Sequence, residues 1–212
     1  MTYRSVIVAL ILAVLAGPVA ASAQVGKSLG VVDVNTAAEK DLLGMPNMTP
    51  AIVKGLIEKR PFASITGLND YLLSQKLTPE QAMQFYGKAF VHINLNTATP
   101  AEILLVPGAG KRMVHEFDEY RPWRTYAQFD KEIGKYVGSE KAAELAQYTF
   151  IPIKLNTGTD ADILTIPGVG QRMLHEFKEY RPWKSKEHFL KEIGKYVQAK
   201  EAERLWRYVV IE

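Results

Sequence analysis

The chain has 212 residues, 47% hydrophobic, 23% charged and 10% aromatic, with 15 Gly, 11 Pro and no Cys. That composition is globular and excludes a disordered, collagen-like or multi-span membrane chain; the missing cysteine removes disulfide scaffolds, thiolate zinc sites, cysteine nucleophiles and N-terminal cysteine lipidation. Formal charge is +3, from 26 Lys+Arg against 23 Asp+Glu, so the surface is of mixed sign and not a polycation.

Met1 to Ser5 carries one charge, Arg4, ahead of the apolar run Val6 to Ala16, a Gly17-Pro18 break and the small-residue triplet Ala21-Ser22-Ala23. This is the layout of a cleaved secretory signal over residues 1–23, with cleavage expected between Ala23 and Gln24 and the mature chain expected to be periplasmic or secreted; the alternative is an uncleaved N-terminal anchor. The apolar run is shorter than the ~20 residues that cross a bilayer, so the mature chain is not expected to span a membrane. Extracytoplasmic space lacks ATP and NAD(P)H, which lowers the prior for cytosolic cofactor enzymes. Residues 24–29 read as a short N-terminal linker.

Beyond residue 30 a period of sixty residues organises the chain. Leu95-Asn96-Thr97 aligns with Leu155-Asn156-Thr157, and about 30 of the 57 paired positions from there to Ile151 and Ile211 are identical, the mark of a duplication. The densest matches are Glu119-Tyr120-Arg121-Pro122-Trp123 with Glu179-Tyr180-Arg181-Pro182-Trp183, and Lys131 to Val137 with Lys191 to Val197. A fainter copy begins at Val34-Asn35-Thr36 and has Arg60-Pro61-Phe62 where the others have Arg-Pro-Trp. Three units follow: residues 30–91, 92–151 and 152–212.

Within the second unit, Thr99-Pro100-Ala101-Glu102 predicts a helix start, because Thr caps free amides, Pro suits the first helical position and Glu closes a capping box. The helix must stop before Pro107-Gly108-Ala109-Gly110, since Pro107 biases Val106 away from helical angles and Gly108 accepts positive φ. A second helix opens at Gly110, carries Met113, Val114 and Phe117 on one face, and ends at Arg121-Pro122. The third unit repeats this through Thr159 and Pro167-Gly168-Val169-Gly170. Two further helices are expected over Tyr126 to Lys135 and Ser139 to Gln147, and the joints Phe90 to Leu95 and Phe150 to Leu155 read as extended.

The sequence Asn-Thr-Ala-x-x-x-x-Ile-Leu-x-x-Pro-Gly-x-Gly before an amphipathic helix is similar to the helix-hairpin-helix domain of the ComEA family, extracytoplasmic receptors for DNA in bacterial transformation. The resemblance covers Asn96 to Trp123 and Asn156 to Trp183. It implies a mainly α fold of tandem, SAM-like helix-hairpin-helix repeats with short extended joints, and it implies non-specific binding of duplex DNA through backbone phosphates, as in DNA uptake. The phosphate charge would meet the exposed amides and positive end of the following helix, which needs no base contact. Carried over residue by residue, the phosphate-binding positions are Gly108, Ala109, Gly110, Lys111 and Arg112, and Gly168, Val169, Gly170, Gln171 and Arg172. The first unit departs from the pattern: Pro46-Asn47-Met48-Thr49 puts β-branched Thr49 at the close-approach position, so that hairpin is expected to be structural only. The family's second hairpin falls at Leu77-Thr78, Tyr136-Val137-Gly138 and Tyr196-Val197-Gln198, which lack the glycine pair.

Charge is thinly spread. Residues 24–91 carry 7 positive and 6 negative side chains, the second unit 7 and 8, and the third 11 and 9. The richest cluster is Lys178, Arg181, Lys184, Lys186, Lys191 and Lys195. His115-Glu116 and His175-Glu176 lack the second His of a His-Glu-x-x-His zinc motif, since Glu119 and Glu179 stand there, so no metal or cofactor is expected. Trp123, Trp183, Tyr120, Tyr180 and Phe62 recur at one place in a duplicated fold and read as core before they read as base-stacking platforms. No Ser-His-Asp, paired-carboxylate or phosphate-loop constellation is present, so the protein is expected not to be an enzyme. Two functions remain: duplex-DNA binding outside the cytoplasm, or a structural adaptor docking onto an envelope protein complex with no DNA role.

Overall fold

One order of elements runs three times through the computed structural model, which describes residues 24–212. The first copy is β1 (Val32–Asp33), α1 (Glu39–Leu43), α2 (Pro50–Lys59), α3 (Ile65–Ser74), α4 (Pro79–Tyr86) and β2 (Ala89–Phe90). The second is β3 (Ile93–Asn94), α5 (Pro100–Leu104), α6 (Lys111–Glu119), α7 (Tyr126–Val137), α8 (Ser139–Ala146) and β4 (Thr149–Phe150). The third is β5 (Ile153–Lys154), α9 (Asp160–Leu164), α10 (Gln171–Glu179), α11 (Lys186–Ile193), α12 (Ala199–Trp206) and β6 (Val209–Val210). The fold is mainly α. No helix among the described residues is long and apolar enough to cross a membrane, and the signal expected over residues 1–23 lies outside them.

Local chemistry explains where the helices begin. Thr99 accepts the amide of Glu102 while the Glu102 carboxylate accepts that of Thr99; Thr159 with Asp162 and Thr78 with Gln81 do the same. Each such box satisfies two otherwise orphaned donors, and its cap contributes about 1 kcal/mol. The extended joints are strands, with partners that local pattern did not identify. Each unit's first strand pairs in parallel with its own last: β1 with β2, β3 with β4, β5 with β6. The strands thus close each unit on itself.

A second closure ties the start of each unit to the loop after its second helix. The Asn96 side chain accepts from the Trp123 amide at 2.6 Å and donates to the Trp123 carbonyl at 3.0 Å. Asn35 spans Phe62 in the same way and Asn156 spans Trp183. The preceding arginines fasten the same corner: Arg121 donates to the carbonyls of Leu95 and Ala98, and Arg181 to those of Leu155 and Gly158. Trp123 and Trp183 are buried between their helices, each indole N–H donating to a Phe carbonyl at 2.8 Å, so they are core residues and not exposed stacking platforms.

The units share their interiors. One buried cluster runs continuously from Val31 to Ile151 across the first two units, and a second fills the third unit and takes in Val25 and Phe150. Aromatic rings bridge the seams, Phe90 to Tyr148 at 5.0 Å and Phe150 to Tyr208 at 4.5 Å between centroids. Residues 24–26 are part of this packing: Val25 lies antiparallel to Phe150, Gly26 N–H donates to the Thr149 carbonyl, and Ile151 N–H donates to that of Gln24. Where all three units meet, Asp33 is buried against His92 Nδ1 at 3.0 Å and accepts from the Tyr208 hydroxyl at 3.3 Å. Burial works to raise the pKa of Asp33, but the bond and charge of His92, the charge of Arg204 and the amide of Asn35 outweigh it and hold the carboxyl below its ordinary value.

Candidate nucleic-acid interface

Each unit turns sharply between its first two helices, and the turn residue has left-handed backbone in all three: φ is 62° at Asn47, 83° at Gly108 and 81° at Gly168. Asn is the side chain that best tolerates this region, so the first unit makes the same turn without glycine. What differs is the residue that opens the following helix. Thr49 caps α2 by accepting the Ile52 amide. Gly110 and Gly170 cap α6 and α10 with no side-chain bond, which leaves the first-turn amides of both helices without a side-chain acceptor.

The two glycines of each turn have different reasons. A Cβ on Gly108 would stand 2.8 Å from Lys141 Nζ, and one on Gly168 would stand 3.0 Å from the Thr36 methyl and 3.2 Å from Arg204 Nη2. Those positions are covered by the protein itself. Gly110 and Gly170 have ordinary extended backbone and nothing within 4 Å of a Cβ. Nothing internal demands glycine there, and the open space lies over uncapped amides.

The fourth helix of each unit reaches back over its turn, a feature with no local sequence signal. Asn47 donates to Gln84 Oε1 and to the Gln81 carbonyl of α4. In the second unit the corresponding positions are Lys141 and Glu144, ion-paired at 2.5 Å; in the third they are Glu201 and Arg204, paired at 2.6 Å with the signs exchanged. Arg204 is buried and donates to the Pro167 carbonyl at 2.7 Å. The third turn is therefore held from both sides, by α12 and by Thr36 of the first unit. At Gly108 of the second turn, Lys141 alone among the described residues lies within 4 Å of where a Cβ would stand.

The cationic residues expected at these turns divide. Lys111 is exposed and has no ion pair among the described residues, and it borders a hollow of about 470 Å3 with Val114, His115, Asp118 and Arg121. Arg112 lies over the Tyr136 ring at 4.4 Å with Nε 3.6 Å from Glu116, so its guanidinium is drawn toward α7; Arg172 stands over Tyr196 at 5.9 Å. The matching hollow of the third unit is bordered by Asp160, Gln171, His175, Lys178 and Glu179, a more acidic set. The lysine-rich cluster of that unit is about half neutralised in place, its six cations facing three carboxylates. Lys178 pairs with Asp160, Lys186 with Glu203, and both Lys191 and Lys195 with Glu192, while Arg181 is committed to its own corner. His115 pairs with Glu119 on the open face of α6, and among the described residues no three acidic or histidine side chains gather as a metal site would require. No family model matches the chain, and no curated protein or solved structure matches it either.

Proposed function

We propose that the three units are tandem helix-hairpin-helix repeats and that the protein is a non-enzymatic, extracytoplasmic binder of duplex DNA, gripping backbone phosphates without sequence preference. The observation that carries this reading is the pair of open glycine caps. At Gly110 and Gly170 a phosphate oxygen can approach uncapped amides at the positive end of a nine-residue helix. The first unit, where Thr49 already occupies the equivalent amide, contributes architecture. Lys111 stands exposed at the start of α6 with no ion pair among the described residues, where α10 has uncharged Gln171, so the second turn is the stronger subsite.

The test is a fluorescence-anisotropy titration of the mature chain with a short duplex over a salt series. Log affinity should fall linearly with log salt with a slope of about −2 to −4, the signature of a few neutralised phosphates. Gly110→Thr together with Gly170→Thr should abolish binding with the fold intact. Full binding by that variant removes the turns from the mechanism.

The adaptor reading has its own support. Six of the eleven cationic side chains of the third unit are ion-paired, and the helix before each turn exposes a leucine, Leu43, Leu104 and Leu164 at 40%, 43% and 37%. A folded protein that binds no duplex at low salt, and that recovers a stoichiometric envelope protein in pull-down, answers to this second reading.

A further inference from the structure

The same strand edge recurs in all three units: on β2 its residues Ala89 to Val91 are fully buried in the core, on β4 it is paired, and on β6 it is bare among the described residues. On β4 the outward-facing polar atoms are the Thr149 carbonyl and the Ile151 amide, and the extended segment Gln24-Val25-Gly26 takes both, at 3.1 and 2.7 Å. Sixty residues on, the corresponding atoms of β6 are the Val209 carbonyl and the Ile211 amide. Among the described residues neither has a hydrogen-bond partner. Val210 and Ile211 are half-buried. Soluble proteins usually blunt a bare edge with Lys, Pro or a bulge; this one presents Val-Val-Ile, the β-branched run that most favours pairing.

We propose that the outer edge of β6 is a docking site for an extended segment of a partner protein, which adds antiparallel to Val209–Ile211 and carries an apolar residue followed by glycine. The chemistry of the occupant comes from the covered copy. There Val25 enters the buried cluster beside Phe150, and Gly26 passes so close to the end of α8 that a Cβ would stand 1.8 Å from the Ala146 carbonyl oxygen. The matching carbonyl in the third unit is that of Trp206, whose ring packs on Phe189 at 5.3 Å between centroids. Backbone hydrogen bonds supply the affinity of such strand addition, and the glycine requirement supplies the selectivity. This surface is separate from the turns, so the proposal stands whether or not the protein binds DNA.

The experiment is an amide-resolved NMR titration of the mature chain with the acetylated, amidated hexapeptide Ala-Gln-Val-Gly-Lys-Ser, beside the same peptide with valine in place of glycine. Saturable shifts are expected at Val209 to Glu212, with the valine peptide at least about tenfold weaker, equivalent to ~1.4 kcal/mol. Ile211→Pro, which removes an amide hydrogen with no partner inside the protein, should lose the shifts while leaving the remaining spectrum in place. The proposal is overturned by no shift at these residues in peptide excess, by equal binding of the valine peptide, or by shifts confined to Thr149–Ile151. Concentration-dependent dimerisation in sedimentation, with protection of Val209–Ile211, would assign the edge to a second copy and also overturn it.

Discussion

The guanidinium of Arg204 donates to the carbonyl oxygen of Pro167, 37 residues earlier, at 2.7 Å, and in doing so clamps the third turn against the last helix of its unit. The same side chain holds Glu201 through two bonds and lends its charge to buried Asp33. Arg204→Ala therefore leaves a buried carboxylate short of positive charge and a turn short of its clamp. We expect a loss of about 3 kcal/mol or more in denaturant unfolding, with faster amide exchange at Val169 and Gly170. A loss below about 1 kcal/mol would show that the clamp is incidental.

The two glycines of each turn should separate folding from binding. Gly108→Ala and Gly168→Ala force a Cβ into left-handed backbone, at about 1–2 kcal/mol each. The second should cost more, because Lys141 can swing away from Gly108 while the Thr36 methyl and Arg204 are held beside Gly168. Gly110→Thr, by contrast, reproduces the cap already present at Thr49, in open space and at an ordinary φ. Its unfolding free energy should stay within about 0.5 kcal/mol of the parent while duplex affinity falls. Parallel losses of stability and affinity in all three variants would contradict this division.

Asp33 predicts the acid limit. Its carboxyl is held below the ordinary value of 3.8, so its stabilisation is fully present above that pH and is lost as pH falls through the lower, folded value. Urea midpoints measured at pH 7, 4 and 3 should drop most steeply between the last two. Asp33→Asn should start lower at pH 7 and lose less on acidification. Superimposable pH profiles would place the acid sensitivity elsewhere.

The corner residues carry a stability prediction that distinguishes core from surface. Trp123→Ala empties a fully buried site packed by Phe129 and Tyr120 and should cost about 3–5 kcal/mol. Asn96→Ala removes two hydrogen bonds to the Trp123 backbone and should cost about 2 kcal/mol. Thermal unfolding of both variants checks the order. A near-neutral Trp123→Ala that lost DNA binding would return the ring to the surface.

Sequence by itself determined the features that act over a few residues. The Thr99-Pro100-Ala101-Glu102 start, the Pro107-Gly108 stop and the 3.6-residue face of Met113 and Phe117 each rest on neighbouring atoms, and the sixty-residue period repeats them. The structure accordingly shows helices over Pro100–Leu104 and Lys111–Glu119, and an Asn47 that turns as glycine does. Tertiary structure alone decided what crosses a unit. Nothing near Arg204 in sequence points to Pro167, nothing in Gln24-Val25-Gly26 names β4 as its partner, and the lysines between 178 and 195 read as a basic cluster until the acids Asp160 and Glu203 close on them. The reason is physical: caps, glycines and helical periodicity are set by local backbone geometry, whereas buried ion pairs and strand edges depend on which distant surfaces the hydrophobic core brings together.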